Sequence, residues 1–164
     1  MFINTSISSG STGKIIEEIC KVAPESSFKY SMLYSRGNKY KSKIISAYRI
    51  TNIFDLIMEF VGTRLFDAHG LSSFYSTRKA IRLIKSEKPD VIHLHNLHGY
   101  FLNYKLLFYF LNSTKIKVVW TLHDCWAYTG HCSHYMDANC DKWKSFCHNC
   151  PEIKYYPKSF ITDR

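Results

Sequence analysis

Two histidine segments and one cysteine cluster hold most of the chemistry this sequence could perform. The first is His93-Leu94-His95-Asn96-Leu97-His98. At the end of a strand, His93 and His95 point to one face, where paired imidazoles can ligate a metal or line a polar cleft. A metal-dependent hydrolase built on His93, His95 and His98 is one reading. No later Asp/His set completes a dinuclear centre, so a polar pair beside a substrate is favoured; a structural role for either histidine alone stays open. The second segment is Trp120-Thr121-Leu122-His123-Asp124-Cys125-Trp126. His123 and Asp124 at a strand end could position a hydroxyl or assist proton movement. Neighbours on a strand face opposite ways, so they need not form one dyad.

The cysteine cluster is Cys132, Cys140, Cys147 and Cys150, separated by seven, six and two residues, with Cys125 upstream. Four thiolates can close a tetrahedral structural zinc site, with His131, His134 and His148 as substitutes. The spacing is looser than a zinc ribbon, and reduced, packed or partly paired cysteines are the alternative. The C-H-N-C-P order is not a haem attachment motif. No helix of basic residues accompanies the cluster, so no nucleic-acid partner is expected.

A fourth motif, Ser8-Ser9-Gly10-Ser11-Thr12-Gly13-Lys14, lies between a strand and a helix. Its glycines and first helical N–H groups could face a phosphate, or form a plain helix start. It is not a Walker A loop: only two residues separate the glycines, and Ile15 follows Lys14.

These motifs need elements to hold them. Met1–Thr5 reads as a strand, followed by a helix from Thr12 or Gly13 that Pro24 stops. Phe28–Tyr34 and Lys43–Ala47 read as strands, with Gly37-Asn38 marking the turn between them. Ile53–Phe66, Ser76–Lys88 and Tyr104–Leu111 carry the helical period, and Val91–His95 and Lys117–Leu122 are buried strands. This alternation predicts an α/β, Rossmann-like parallel sheet with helices on both faces. From Asp124 the character changes: 27 residues to Cys150 contain five Cys, three His and two Trp, a Cys-rich insertion over residues 124–151.

With 164 residues, one domain is expected, since domains run roughly 100–200 residues. A formal charge of +9 favours anionic partners, whether nucleotide diphosphate, nucleic acid or an anionic membrane face. The densest basic run, Arg36 to Lys43, reads as a solvated loop. No segment reaches the roughly 20 apolar residues that a spanning helix needs, and no leader pattern follows Met1. A cytoplasmic location is therefore expected, where disulfides are rare.

The stretches DVIHLHNLHGYFLNYKLLFYFL and VVWTLHDCWAYTGHCSHYMDANCDKWKSFCHNCPEIKYYPKS resemble the N-terminal domain of family 4 glycosyltransferases of the two-domain GT-B type, nearest the colanic-acid and exopolysaccharide group. INTSISSGSTGKI is similar to that group's first strand and glycine loop. The resemblance is strong over Pro89–Ser159, fair over Ile3–Ile19 and thin between.

The resemblance implies sugar transfer from a nucleotide-diphosphate sugar to a saccharide or lipid-linked acceptor, with retention and no catalytic metal. It implies acceptor binding by this domain and donor binding by a C-terminal domain that is absent here. The first domain would itself be incomplete, and the chain inactive alone unless a separate donor-domain subunit joins it. Gly10, Ser11, Thr12 and Gly13 would approach the donor diphosphate. His95, Asn96 and Asp124 would line the substrate site, and His123 would face the reacting sugar as the catalytic residue. Peripheral contact with the inner face of the cytoplasmic membrane would suit a lipid-linked acceptor. A non-catalytic saccharide- or partner-binding module of the same fold is the alternative.

Overall fold

The computed structural model describes residues 1–7, 10–22, 27–37 and 44–160. Five strands, β1 (Phe2–Ser6), β2 (Tyr30–Arg36), β3 (Ile45–Arg49), β4 (Val91–Leu94) and β5 (Lys117–Trp120), form one sheet in the order β3-β2-β1-β4-β5. Every pairing is parallel. Five helices accompany them: α1 (Gly10–Val22), α2 (Ile53–Phe66), α3 (Phe74–Glu87), α4 (Tyr104–Asn112) and the short α5 (Trp126–Thr129), with a 3-10 turn at Lys142–Lys144.

Side chains alternate across the strands. Phe2, Met32 and Tyr34 pack with Ile16 and Cys20 of α1. Ile3, Leu33, Ile92 and Leu94 turn the other way, onto Ala80 and Ile84 of α3 and Leu107 and Leu111 of α4. A parallel sheet needs cover on both faces, and the expected Rossmann-like α/β fold is what forms. Cover is thinnest at β5, one of the two edge strands among the described residues, where Val118 and Val119 stay exposed.

Element boundaries depart from the sequence reading for local physical reasons. Helix α1 begins at Gly10, not at Thr12 or Gly13, and Gly10 itself takes a φ of +72° that glycine adopts at low cost. Strand β2 runs two residues later than expected, since its pairing begins where Tyr30 meets Ile45. Strand β5 stops at Trp120, short of Leu122. Helix α3 begins at Phe74, not Ser76. Its N-cap Ser73 makes no side-chain capping bond; the carboxylate of Asp55 on α2 accepts instead from the backbone N–H groups of Tyr75 and Ser76. That cap comes from another helix, and no local motif announces it. Ser8, Ser9, Ala23, Pro24 and residues 38–43 lie outside the described residues, and with them the helix stop, Asn38 of the turn and most of the basic run.

One helical turn beyond Asp55, Glu59 is fully buried. It accepts from the backbone N–H groups of Gly70 and Ser72 and from the Ser73 hydroxyl, the last two at 2.7 and 3.1 Å. Burial raises its pKa above the usual carboxylate range, against the pull of these hydrogen bonds. Gly70 itself has a φ of +77°, and a Cβ there would come within 2.8 Å of the Tyr104 ring. Glu59→Ala leaves buried donors without an acceptor, and is expected to cost roughly 2–4 kcal/mol. Urea unfolding checks this: the midpoint should fall with an unchanged slope, and an unmoved midpoint would show that the carboxylate does not hold this turn.

Candidate functional site

The chain runs outward from β1 to β2 and β3, then returns to β4 and β5 on the other side. The order therefore reverses between β1 and β4, and the crevice beyond their C-terminal ends is where open α/β sheets take ligands. One amide ties this crevice together. Asn4, fully buried in β1, donates through Nδ2 to the Ser6 carbonyl at 2.9 Å and to Thr12 Oγ1 at 3.1 Å. Its Oδ1 accepts from the Asn96 backbone N–H at 3.2 Å. Thr5 adds a backbone bond to the Asn96 carbonyl at 3.1 Å and a hydroxyl bond to the same oxygen at 3.0 Å. The end of β1, the first turn of α1 and the segment after β4 are thus one rigid unit.

Gly10, Ser11, Thr12 and Gly13 form the first turn of α1, not a loop before it. Among the described residues, a Cβ built on Gly10 would meet only Ser6 Oγ, at 3.9 Å. The start of a 13-residue helix is positive through its dipole and its unsatisfied N–H groups, and here it opens at the sheet's C-terminal edge.

The histidines sort into separate pairs. The imidazoles of His93 and His95 lie with centroids 4.3 Å apart, on the shared face that strand periodicity predicts. His93 Nε2 contacts Thr121 Oγ1 at 2.8 Å. His95 Nδ1 contacts His123 Nε2 at 2.8 Å, with the two rings stacked. His98 Nε2 contacts Asp124 Oδ2 at 2.6 Å. His123 and Asp124, beyond the end of β5, thus serve different partners. Among the described residues no three His, Cys, Asp or Glu side chains stand together as metal ligands. The geometry of a His93/His95/His98 metal centre is not present there.

His95 is buried, and its pKa is lowered to about 4, first by desolvation and then by the neighbouring His93 and His123. The ring is therefore neutral near pH 7. Among the described residues its Nε2 has no hydrogen-bond partner. A bare lone pair costs less there than an unmet N–H, so we assign the proton to Nδ1, which donates to His123 Nε2. His123, half-buried, then keeps its own proton on Nδ1. The backbone is fixed as well: Trp120 Nε1 donates to the His95 carbonyl at 3.0 Å.

Behind His98 lies a second group that sequence reading does not assemble. Tyr156 Oη sits 3.2 Å from His98 Nδ1 and 3.4 Å from His69 Nε2. The His69 ring packs edge-on against Trp126 and Tyr100. Burial lowers the pKa of His69 to about 3 and raises that of Tyr156. Asp124 is held below the usual carboxylate range: burial works against this, but hydrogen bonds from His98 and the Trp126 backbone N–H outweigh it. His69 and Tyr156 carry no motif. Asn4 offers a faint signal, as an amide inside an otherwise buried apolar strand.

The crevice at His95, His98, His123 and Asp124 is a shallow notch. A cavity of about 450 Å³ lies elsewhere, between Met1, Phe28, Tyr30 and Pro89, with His93 in its wall. It sits toward the strands' N-terminal ends and holds none of the other chemistry, so the notch is the better candidate.

No disulfide links the six cysteines. Cys132 is buried, and burial pushes its thiol pKa up. His131, one of the substitute zinc ligands, is instead committed to Asp67 at the end of α2, at 2.8 Å and with both side chains buried. This pair anchors the insertion to the sheet domain.

Comparisons with known proteins bear on this geometry. The family model described as Glycosyltransferase Family 4 matches residues 47–152, which include both histidine segments and Cys132, Cys140, Cys147 and Cys150 but not the first turn of α1. The chain is similar to the putative colanic acid biosynthesis glycosyl transferase WcaC of Escherichia coli (strain K12), with 36% identity over 99 residues. That stretch is 57% of this chain and 24% of WcaC, so the match spans about a quarter of that relative's length. No solved structure matches the chain.

Proposed function

Because the chain belongs to glycosyltransferase family 4, we propose that it forms the acceptor-side part of a retaining, nucleotide-sugar-dependent glycosyltransferase of polysaccharide synthesis. The observation that carries this reading is the His95–His123 contact at the ends of β4 and β5. It lies beside a helix start that Asn4 locks to the same crevice.

Each residue has a task in this reading. The N–H groups of Gly10–Gly13 stabilise charge on the leaving diphosphate, where preorganised donors are most effective. His95 stays neutral and fixes His123 by its Nδ1–H. His123 donates its remaining N–H to a hydroxyl of the reacting sugar and sets it against the acceptor. Asn96 and Asp124 line the acceptor side, with Asp124 oriented by His98. Residues 1–164 contribute, in this reading, the acceptor side of the crevice and the helix start that faces the donor diphosphate.

In the complete enzyme, His123→Ala should lower kcat for transfer by roughly 10²–10³-fold, the range for removing one preorganised donor, while acceptor KM changes little. Steady-state transfer from uridine- and guanosine-diphosphate sugars reads this directly. Undiminished kcat would remove His123 from the reaction. Acceptor binding with no transfer from any donor would favour a saccharide-binding module of the same fold.

The reading also treats Cys132, Cys140, Cys147 and Cys150 as a structural zinc set for residues 124–151, outside the chemistry. These side chains do not converge as ligands in their present arrangement, so zinc would have to draw the four together. Metal analysis of the reduced chain should find about one zinc per molecule, lost in Cys147→Ser/Cys150→Ser. A metal-free, fully folded chain would leave the cysteines as packed thiols.

A further inference from the structure

Both ring nitrogens of His98 are engaged, and the group beside each decides which one carries the proton. Its Nε2 lies 2.6 Å from Asp124 Oδ2. Asp124, held below the usual carboxylate range, is ionised near pH 7 and can only accept. In a neutral His98 ring the proton then sits on Nε2, and Nδ1 is left as an acceptor. Tyr156 Oη, 3.2 Å away, donates to it.

The far end gives the same order independently. His69 is buried, and desolvation keeps its ring neutral. Among the described residues its Nδ1 has no hydrogen-bond partner, and an orphaned N–H costs more than a bare lone pair. The proton is therefore on Nε2, 3.4 Å from Tyr156 Oη, and is donated to that oxygen. Three links run one way: His69 Nε2–H to Tyr156, Tyr156 O–H to His98, and His98 Nε2–H to Asp124. Edge-on contacts with Tyr100, Trp126 and Tyr156 hold the His69 ring in place.

The chain of hydrogen bonds ends at the crevice. Asp124 Oδ1 accepts from the Trp126 backbone N–H at 3.0 Å, so each carboxylate oxygen takes one internal bond and keeps a further lone pair. Asp124 stands in the wall of the notch with His95 and His123, its side chain 14% exposed. We propose that His69 and Tyr156 are positioning residues, which through His98 hold Asp124 as an acceptor-only carboxylate for a hydroxyl of the acceptor sugar. The identity of that ligand rests on the sugar-transfer reading; the order of the protons does not. Tyr156 lies beyond residues 47–152, the stretch that carries the family match, so this task is not inherited from it.

Tyr156→Phe tests the chain, because it removes one oxygen from a residue that is 42% exposed and should leave the fold intact by circular dichroism. Nitrogen-resolved imidazole NMR near pH 7 should show His69 and His98 both protonated on Nε2. The variant should move the His98 Nδ1 resonance toward that of a bare ring nitrogen. Titration with the methyl glycosides of glucose, galactose and mannose, read at the Asp124 carboxyl carbon, should saturate with at least one of them. Tyr156→Phe should weaken that binding roughly three- to tenfold, the worth of one hydrogen bond. A proton on Nδ1 of either histidine, or a His98 signal unmoved in the variant, overturns the ordered chain. Saccharide binding unchanged in the variant, or no response of Asp124 to any of the three sugars, overturns the positioning role. A complete enzyme that transfers no sugar, while Asp124 still answers a saccharide, would sink the transfer reading alone.

Discussion

The Asn4 side chain holds three chain segments at one point, and the candidate site depends on it. Its amide satisfies the Ser6 carbonyl, the Thr12 hydroxyl and the Asn96 N–H. It does so at the position where the strand order reverses, with no exposure to water. A buried amide is costly unless its hydrogen bonds are made, so this arrangement is held tightly once formed. The sheet register then does the rest. With Leu94 opposite Trp120 and His93 opposite Val119, the residues that follow each strand emerge side by side, and His95 comes within reach of His123.

A second constraint runs through α2. Its inward side is given to carboxylates because the turn at Gly70–Ser73 and the start of α3 expose N–H groups that have no local acceptor. Satisfying them from α2 leaves the apolar residues of that helix on the outside. The same choice positions Asp67, which takes up His131 and couples the Cys-rich segment to the domain. Burial of ionisable groups for backbone satisfaction and exposure of an apolar face are two results of one packing decision.

Much of this was legible in the residues. The alternation of two-fold and 3.6-fold apolar periods gave the strands and helices, and the histidines fell at strand ends as their positions after VIHL and VVW implied. The shared face of His93 and His95 followed from strand geometry, whereas His123 and Asp124 lie beyond the end of β5 and take their separate partners from tertiary packing. What could not be read were partnerships across long sequence distances. Asp55 caps a helix 20 residues away, Tyr156 reaches His69 and His98, and Asn4 reaches Asn96. None has a local pattern, because each acceptor is chosen by tertiary packing. The inverted face of α2 was hidden for the same reason: its helical period was plain, but periodicity does not say which side is inward.

The account rests on a neutral His95 that donates to His123 and orients it toward a sugar. Nitrogen-resolved imidazole NMR across a pH titration tests this most directly. His95 should stay neutral and Nδ1-protonated from pH 7 down to about 4, because burial disfavours its cation. Adding an acceptor saccharide should shift the resonances of His123 more than those of His95. Independent protonation of His95 near pH 6.5, with its proton on Nε2 and no response at His123 to any saccharide, would contradict it.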